Sequence, residues 1–151
     1  MKVLKYTIPA ILFLAFLFSI RAAGRGGEVQ SLRILVEGFR TSRGQAAVSL
    51  YRTPGGFPDD PKKAFQKQLI PIQGKRANCR FKNLSPGIYA VSVLHDENRN
   101  NRMDKTFWGF PKEGFGVSRN PKIRFSKPPF EECSFRYTTG TLQLKIKMQY
   151  L

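Results

Sequence analysis

Residues 84–120 read LSPGIYAVSVLHDENRNNRMDKTFWGFPKEGFGVSRN, and the fold turns on how this stretch is understood. Pro86 pre-sets φ for a turn and Gly87 accepts a positive φ, so Ser85-Pro86-Gly87 is a tight turn. Out of it runs GIYAVSVLH, where Ile88, Ala90, Ser92 and Leu94 alternate with Tyr89, Val91, Val93 and His95. Both faces are largely apolar, as in a strand lying in the middle of a sheet. A polar loop rich in Asp and Asn follows, and then a glycine- and aromatic-rich excursion to Asn120.

The same period of two recurs on either side. QSLRILVEGF sets Leu32, Ile34 and Val36 on one face and Arg33, Leu35 and Glu37 on the other. QAAVSLYR groups Ala46, Val48 and Leu50, and ANCRFKNL groups Cys79 and Phe81. AFQKQLIPI fits an edge strand leading to a hairpin at Gln73-Gly74, or a short helical turn. KIRFS is a short strand, and PPFEECSFRYT alternates through Cys133. TLQLKIKMQYL is the cleanest strand, with Leu142, Leu144, Ile146 and Met148 inward and Gln143, Lys145, Lys147 and Gln149 outward. Seven to eight strands without βαβ alternation specify an all-β fold, a Greek-key β-sandwich of Ig-like or transthyretin-like type with one long loop after the central strand. This excludes the nucleotide-binding α/β folds, and no glycine-rich phosphate loop or internal repeat is present.

At the N-terminus, Lys2 and Lys5 precede an apolar run from Tyr6 to Ile20 that ends in Arg21-Ala22-Ala23-Gly24. That layout is a secretory signal peptide over residues 1–24, or an uncleaved anchor if Arg21 hinders processing. The run, at about fifteen residues, is short of the roughly twenty that a membrane-spanning helix needs, so no transmembrane domain is expected after cleavage. Residues 25–151 then form a single domain, exported and therefore periplasmic or secreted. The 151-residue chain carries a formal charge of +16, and removing residues 1–24 takes away three cations and no acid, leaving +13. Such a charge draws the protein to an anionic surface or polysaccharide. Nucleic acid is not expected, because the cations are scattered and no nucleic-acid motif accompanies them.

The loop after the central strand is the candidate site. Asp96, Asn98, Asn100 and Asp104 occupy the first, third, fifth and ninth places of an EF-hand-type calcium loop, with Arg102 placed to offer its backbone carbonyl. Asn101 stands where glycine is usual, and asparagine tolerates the left-handed conformation required there. Phe107 stands where the bidentate glutamate belongs, and Glu113 is the residue that could fold back in its place. The competing reading is an Asx-rich turn whose side chains satisfy their own backbone. His95, Asp96, Asp104 and Glu113 could alternatively line a polar pocket of a small-ligand receptor or enzyme, with Trp108 and Phe110 beside it. No catalytic triad is identifiable, so a non-enzymatic binding role is the first expectation. The aromatics from Phe107 to Phe115 are expected to be a satellite core pinning the loop, with an exposed shelf for sugar or peptide as the alternative. His95 is expected to bond a loop carbonyl or Glu113. Cys79 and Cys133 are a candidate disulfide in an oxidising compartment, with two buried thiols as the alternative.

The combination of Pro86 to Ala90, His95 to Asp104, Gly109 to Glu113, Gly116 to Asn120 and Pro128 to Glu131 resembles the bacterial family called domain of unknown function 2141. The resemblance covers most of residues 30–150. It implies a small exported protein and supplies no activity. The family usually has Asn-Gly at the turn where this chain has Asn100-Asn101. The Pro-Gly-x-Tyr strand entering an Asp loop is also similar to transthyretin-like and collagen-adhesin B-type sandwich domains, which implies the fold alone.

Overall fold

A computed structural model describes residues 30–123 and 126–151. The expected leader over 1–24 lies outside the described residues, as do positions 124 and 125 of the expected KIRFS strand. Among the described residues eight strands form two sheets: β1 (Ser31–Glu37), β2 (Gln45–Tyr51), β3 (Gln66–Pro71), β4 (Arg76–Lys82), β5 (Gly87–Asp96), β6 (Phe115–Val117), β7 (Phe135–Tyr137) and β8 (Thr141–Lys147). The first sheet has the order β4-β1-β8, and the second β3-β2-β5-β6, with β7 also paired to β5. The architecture is the β-sandwich that the alternation predicts.

Strand β1 pairs β4 antiparallel and β8 parallel, so the first and last strands close the small sheet side by side. Strand β5 lies mid-sheet as expected, with β2 along one edge and β6 and β7 sharing the other. The main core fills the space between the sheets with Leu32, Ile34, Val36, Val48, Leu50, Cys79, Phe81, Tyr89, Val91, Val93 and Ile146. Each such large side chain, once buried, stabilises the fold by about 1.5–3 kcal/mol. The second face of β5 is apolar for a separate reason. Ala90 packs there with Tyr51, Val117, Phe130 and Cys133 in a smaller cluster.

Two local readings are corrected and a third holds. PPFEECSFRYT is not one strand, because Phe130–Cys133 forms a helical turn, α1, that carries Phe130 and Cys133 onto the small cluster before β7 begins. Asn83 (φ 56°) takes the left-handed conformation before the Ser85-Pro86 turn, whereas Gly87 does not. The edge-strand reading of AFQKQLIPI holds, and its hairpin turns on Gly74 and Lys75, both left-handed, between reciprocal bonds of Gln73 and Arg76.

The disulfide is also corrected. Cys79 and Cys133 are both free and buried, one in the core between the sheets and the other in the small cluster. Cys79 Sγ instead donates to Gln68 Oε1 at 3.3 Å. Burial pushes the Cys79 thiol up to about 12 and the Cys133 thiol up to about 11. An unfolded thiol titrates near 9.0, so above that pH the unfolded chain loses protons that the folded chain keeps. The thiol contribution is fully present below pH 9.0 and is lost as pH rises toward about 11 and then about 12. The native protein should therefore resist thiol-specific alkylation at neutral pH and react with two equivalents once unfolded. Its melting temperature should fall with rising pH in that window, less so in Cys79→Ala measured against its own neutral value.

Candidate functional site

The loop leaves β5 at Asp96 and returns at β6, and its base is set by two buried carboxylates. Asp96 is fully buried. Its Oδ1 accepts from the backbone N–H of Asn100 at 3.0 Å, and its Oδ2 accepts from Asn101 N–H at 3.0 Å and from Gln45 Nε2 at 2.7 Å. Glu113, also buried, does the same from the other end. Its two oxygens accept from Glu97 N–H at 2.8 Å and Asp104 N–H at 3.1 Å. A loop that pairs little of its backbone with strands is thereby given acceptors for four of its N–H groups, which removes most of the cost of ordering it away from water.

The turn itself is made by asparagine. Asn98 Oδ1 accepts from Asn100 N–H at 3.1 Å and Asn100 Oδ1 from Arg102 N–H at 3.0 Å, two successive Asx turns. Their amide nitrogens both face Asp104, Asn98 Nδ2 to Oδ2 at 2.7 Å and Asn100 Nδ2 to Oδ1 at 2.9 Å. Asn101 is left-handed (φ 60°), as the sequence pattern requires, and Arg99 (φ 62°) is too. Gly44 locks the loop against the neighbouring strand. It is left-handed (φ 76°), and a Cβ there would lie 2.1 Å from the carbonyl oxygen of Asp96.

The structure does bring Asp96, Asn98, Asn100, Asp104 and Glu113 together. It joins them as hydrogen-bond partners, and among the described residues no group of three or more His, Cys, Asp or Glu side chains is arranged to hold a metal. Calcium fits this donor set only if the amides of Asn98 and Asn100 turn to present oxygen in place of nitrogen. Arg102 lends its N–H to the turn, and Glu113 is committed to two backbone amides. The residue expected as a substitute ligand is therefore a brace.

His95 is fully buried, with Nε2 bonded to the carbonyl of Arg43 at 2.9 Å and Nδ1 to the Tyr150 hydroxyl at 2.8 Å. The expected bond to a loop carbonyl is present. Tyr150 in turn accepts from Arg40 N–H at 2.9 Å, and the Arg40 guanidinium lies over its ring at 5.0 Å. Arg40 Nε meets Glu97 Oε1 at 2.6 Å, and that bond leads the interactions holding its guanidinium above its ordinary value. Gly114 is needed here because the Tyr150 ring would lie 2.3 Å from any Cβ. Gln45, Arg40 and Tyr150 were not singled out by the sequence, since each sits in a different segment and none has a motif of its own.

The pocket of His95 with Trp108 and Phe110 is not formed. His95 faces inward with both ring nitrogens bonded, whereas Phe107, Trp108 and Phe110 stand out from the protein at 95%, 80% and 58% exposure. The satellite-core reading is overturned for these three, which form an exposed tip with Phe107 edge-on to Trp108 at 5.3 Å. Backbone bonds hold the tip, Thr106 N–H to Phe110 O at 2.8 Å and Gly109 N–H to Thr106 O at 3.0 Å. Below it Lys112 N–H reaches Asp104 O at 2.8 Å.

These features define a small β-sandwich carrying one long, internally braced loop that ends in exposed aromatics. The chain belongs to the family DUF2141, described as an uncharacterized protein conserved in bacteria, which matches residues 34–145. No curated protein and no solved structure matches the chain.

The segments that carried the resemblance have structural roles here. Tyr89 Oη donates to Ser85 O at 2.7 Å, closing the Pro-Gly turn. Ser118 Oγ accepts from Val91 N–H at 2.9 Å and donates to Cys133 O at 2.6 Å, tying β5 to α1. Asn120 accepts from Lys147 N–H at 2.8 Å and donates to Lys145 O at 2.9 Å, so its amide covers the open edge of β8.

Asp96→Ala should remove three hydrogen bonds to a buried carboxylate, leaving the Asn101 N–H without its acceptor while the Asn100 N–H keeps Asn98 Oδ1 and the Gln45 amide keeps Asn101 Oδ1, and should cost on the order of 3 kcal/mol in chemical denaturation. Asp96→Asn keeps one oxygen and should cost less. Equal stability of Asp96→Ala and the parent would show that the loop is held by other means.

Proposed function

We propose that the protein is an exported, non-enzymatic binding domain that engages a partner or an anionic surface through the tip at Phe107, Trp108 and Phe110. The observation that carries this reading is the exposure of three neighbouring aromatics on a loop whose base is fixed by the buried Asp96 and Glu113. Exposing aromatic rings to water is unfavourable, and bracing them keeps the ordering cost of binding low. Lys105 and Lys112 flank the tip and are themselves exposed. The tip is thus an apolar wedge with a cationic collar, suited to a surface that presents both anionic groups and rings or chains to stack against. Acidic polysaccharide is the partner class that matches this chemistry in an extracellular or periplasmic setting. The leader over residues 1–24 supports export through its cationic start and apolar run.

A second reading concerns how the loop is held. Asn98 and Asn100 both face the Asp104 carboxylate, and Asp96 bonds the Asn100 backbone beside them, so rotation of the two amides would offer calcium a set of oxygens. Calcium would then supply cross-linking of the turn, with no role in chemistry.

Trp108 is the chain's one tryptophan, so its fluorescence reports on the tip directly. Titration with polygalacturonate should shift the emission to the blue and protect it from acrylamide, and Phe107→Ser should weaken binding by about tenfold, equivalent to about 1.4 kcal/mol. Unchanged quenching at saturating polymer would remove the tip from function. In the same assay, a rise in melting temperature with millimolar calcium that is absent in Asp104→Asn supports the metal. No rise leaves hydrogen bonding as the brace.

A further inference from the structure

The outer face of the three-stranded sheet holds an arrangement that the loop does not explain. Arg33 of β1 and Arg80 of β4 are direct cross-strand partners, and Gln143 of β8 is the partner of Arg33 on its other side. All three positions alternate with core residues, so they share the face turned away from the sandwich interior. Like charges placed directly opposite in a sheet repel, and a chain gains nothing in folding by putting them there. The two arginines, with Leu35, Asn78 and Gln143, line a shallow concavity of about 360 Å³.

One of the arginines is also incompletely bonded. Arg80 Nη2 donates to Ser31 Oγ at 3.2 Å, but its Nε is buried and has no hydrogen-bond partner among the described residues. A guanidinium N–H withdrawn from water without an acceptor is costly, and an anion is the natural acceptor for it. The surroundings reinforce the demand. Arg76 and Lys82 on β4 and Lys145 and Lys147 on β8 are exposed on the same face, where Glu37, 3.6 Å from Lys145 Nζ, is the carboxylate in the strands. The local field is therefore strongly positive.

We propose that this face is an oxyanion-binding site in which a phosphate or sulfate group bridges Arg33 and Arg80, with the side-chain amides of Asn78 and Gln143 at its margin. Such a group cancels the cross-strand repulsion and, with the Arg80 side chain turned toward it, gives the buried Nε its acceptor. The remaining cations, spaced along β4 and β8, suit a ligand that repeats the oxyanion along a chain. The site is independent of the aromatic tip, on another part of the sandwich.

The test is a titration of the whole chain, first with inorganic phosphate and then with dextran sulfate, followed by NMR at the Arg80 Nε–H resonance. A saturable shift of that resonance with phosphate is expected. Arg80→Lys, which keeps the charge and loses the planar fork, should weaken phosphate binding by roughly tenfold, while Lys67→Gln on β3 of the other sheet should leave it unchanged. Arg33→Gln carries the second readout: it should lower the affinity for phosphate and raise the melting temperature without phosphate, since it removes the repulsion. A gain of more than tenfold for dextran sulfate over phosphate, with steep salt dependence, assigns the site to a polymer, and equal affinity assigns it to the free ion. The proposal is overturned if the Nε–H resonance does not move, or if Arg80→Lys keeps full affinity while Lys67→Gln loses as much as Arg33→Gln, because the attraction is then only the diffuse charge of the protein.

Discussion

The joint on which this structure depends is the buried carboxylate of Asp96. It ends the central strand and, in the next few residues, accepts two backbone N–H groups of the loop and one side-chain amide from β2. Glu113 repeats the device at the far end of the loop. Between them they turn a stretch that would be costly to order into a rigid extension of the sheet, because each buried acceptor is matched to donors of the loop and of β2. The same chemistry explains why the loop holds its aromatics outward. The base already satisfies the backbone, so the rings are not needed as a core.

Much of this was legible in the sequence, for physical reasons that differ from place to place. Strands such as β1 and β8 could be read directly because a side chain every second residue must be apolar when one face meets the core. The central place of β5 followed from apolar residues on both of its faces. Asn101 was legible too, since few residues tolerate the left-handed turn that it occupies (φ 60°).

The failures are equally specific. Periodicity could not distinguish Phe130–Cys133 from a strand, because a four-residue helical turn spans little more than one helical repeat, too few residues for a period of 3.6 to show against a period of 2. The two cysteines were adjacent in no sense that spacing could show, and the fold places them in separate clusters. The aromatic tip was misjudged because a run of Phe and Trp looks the same whether it is buried or displayed. The roles of Gln45, Arg40 and Tyr150 could not be read at all, since they depend on contacts across 51, 57 and 55 residues of chain. The facing arginines of the outer sheet were hidden for the same reason, as strand register is a tertiary fact.

Two surfaces result, a projecting aromatic tip and a cationic sheet face, and both rest on a sandwich whose polar interior is given over to holding backbone in place. The claim beneath the account is that Asp96 fixes the loop in the free protein. Amide hydrogen exchange at Asn100 and Asn101 tests it most directly. The account predicts protection at both amides approaching that of Val93 in β5. Exchange at the rate of an unstructured peptide while Val93 stays protected would contradict it.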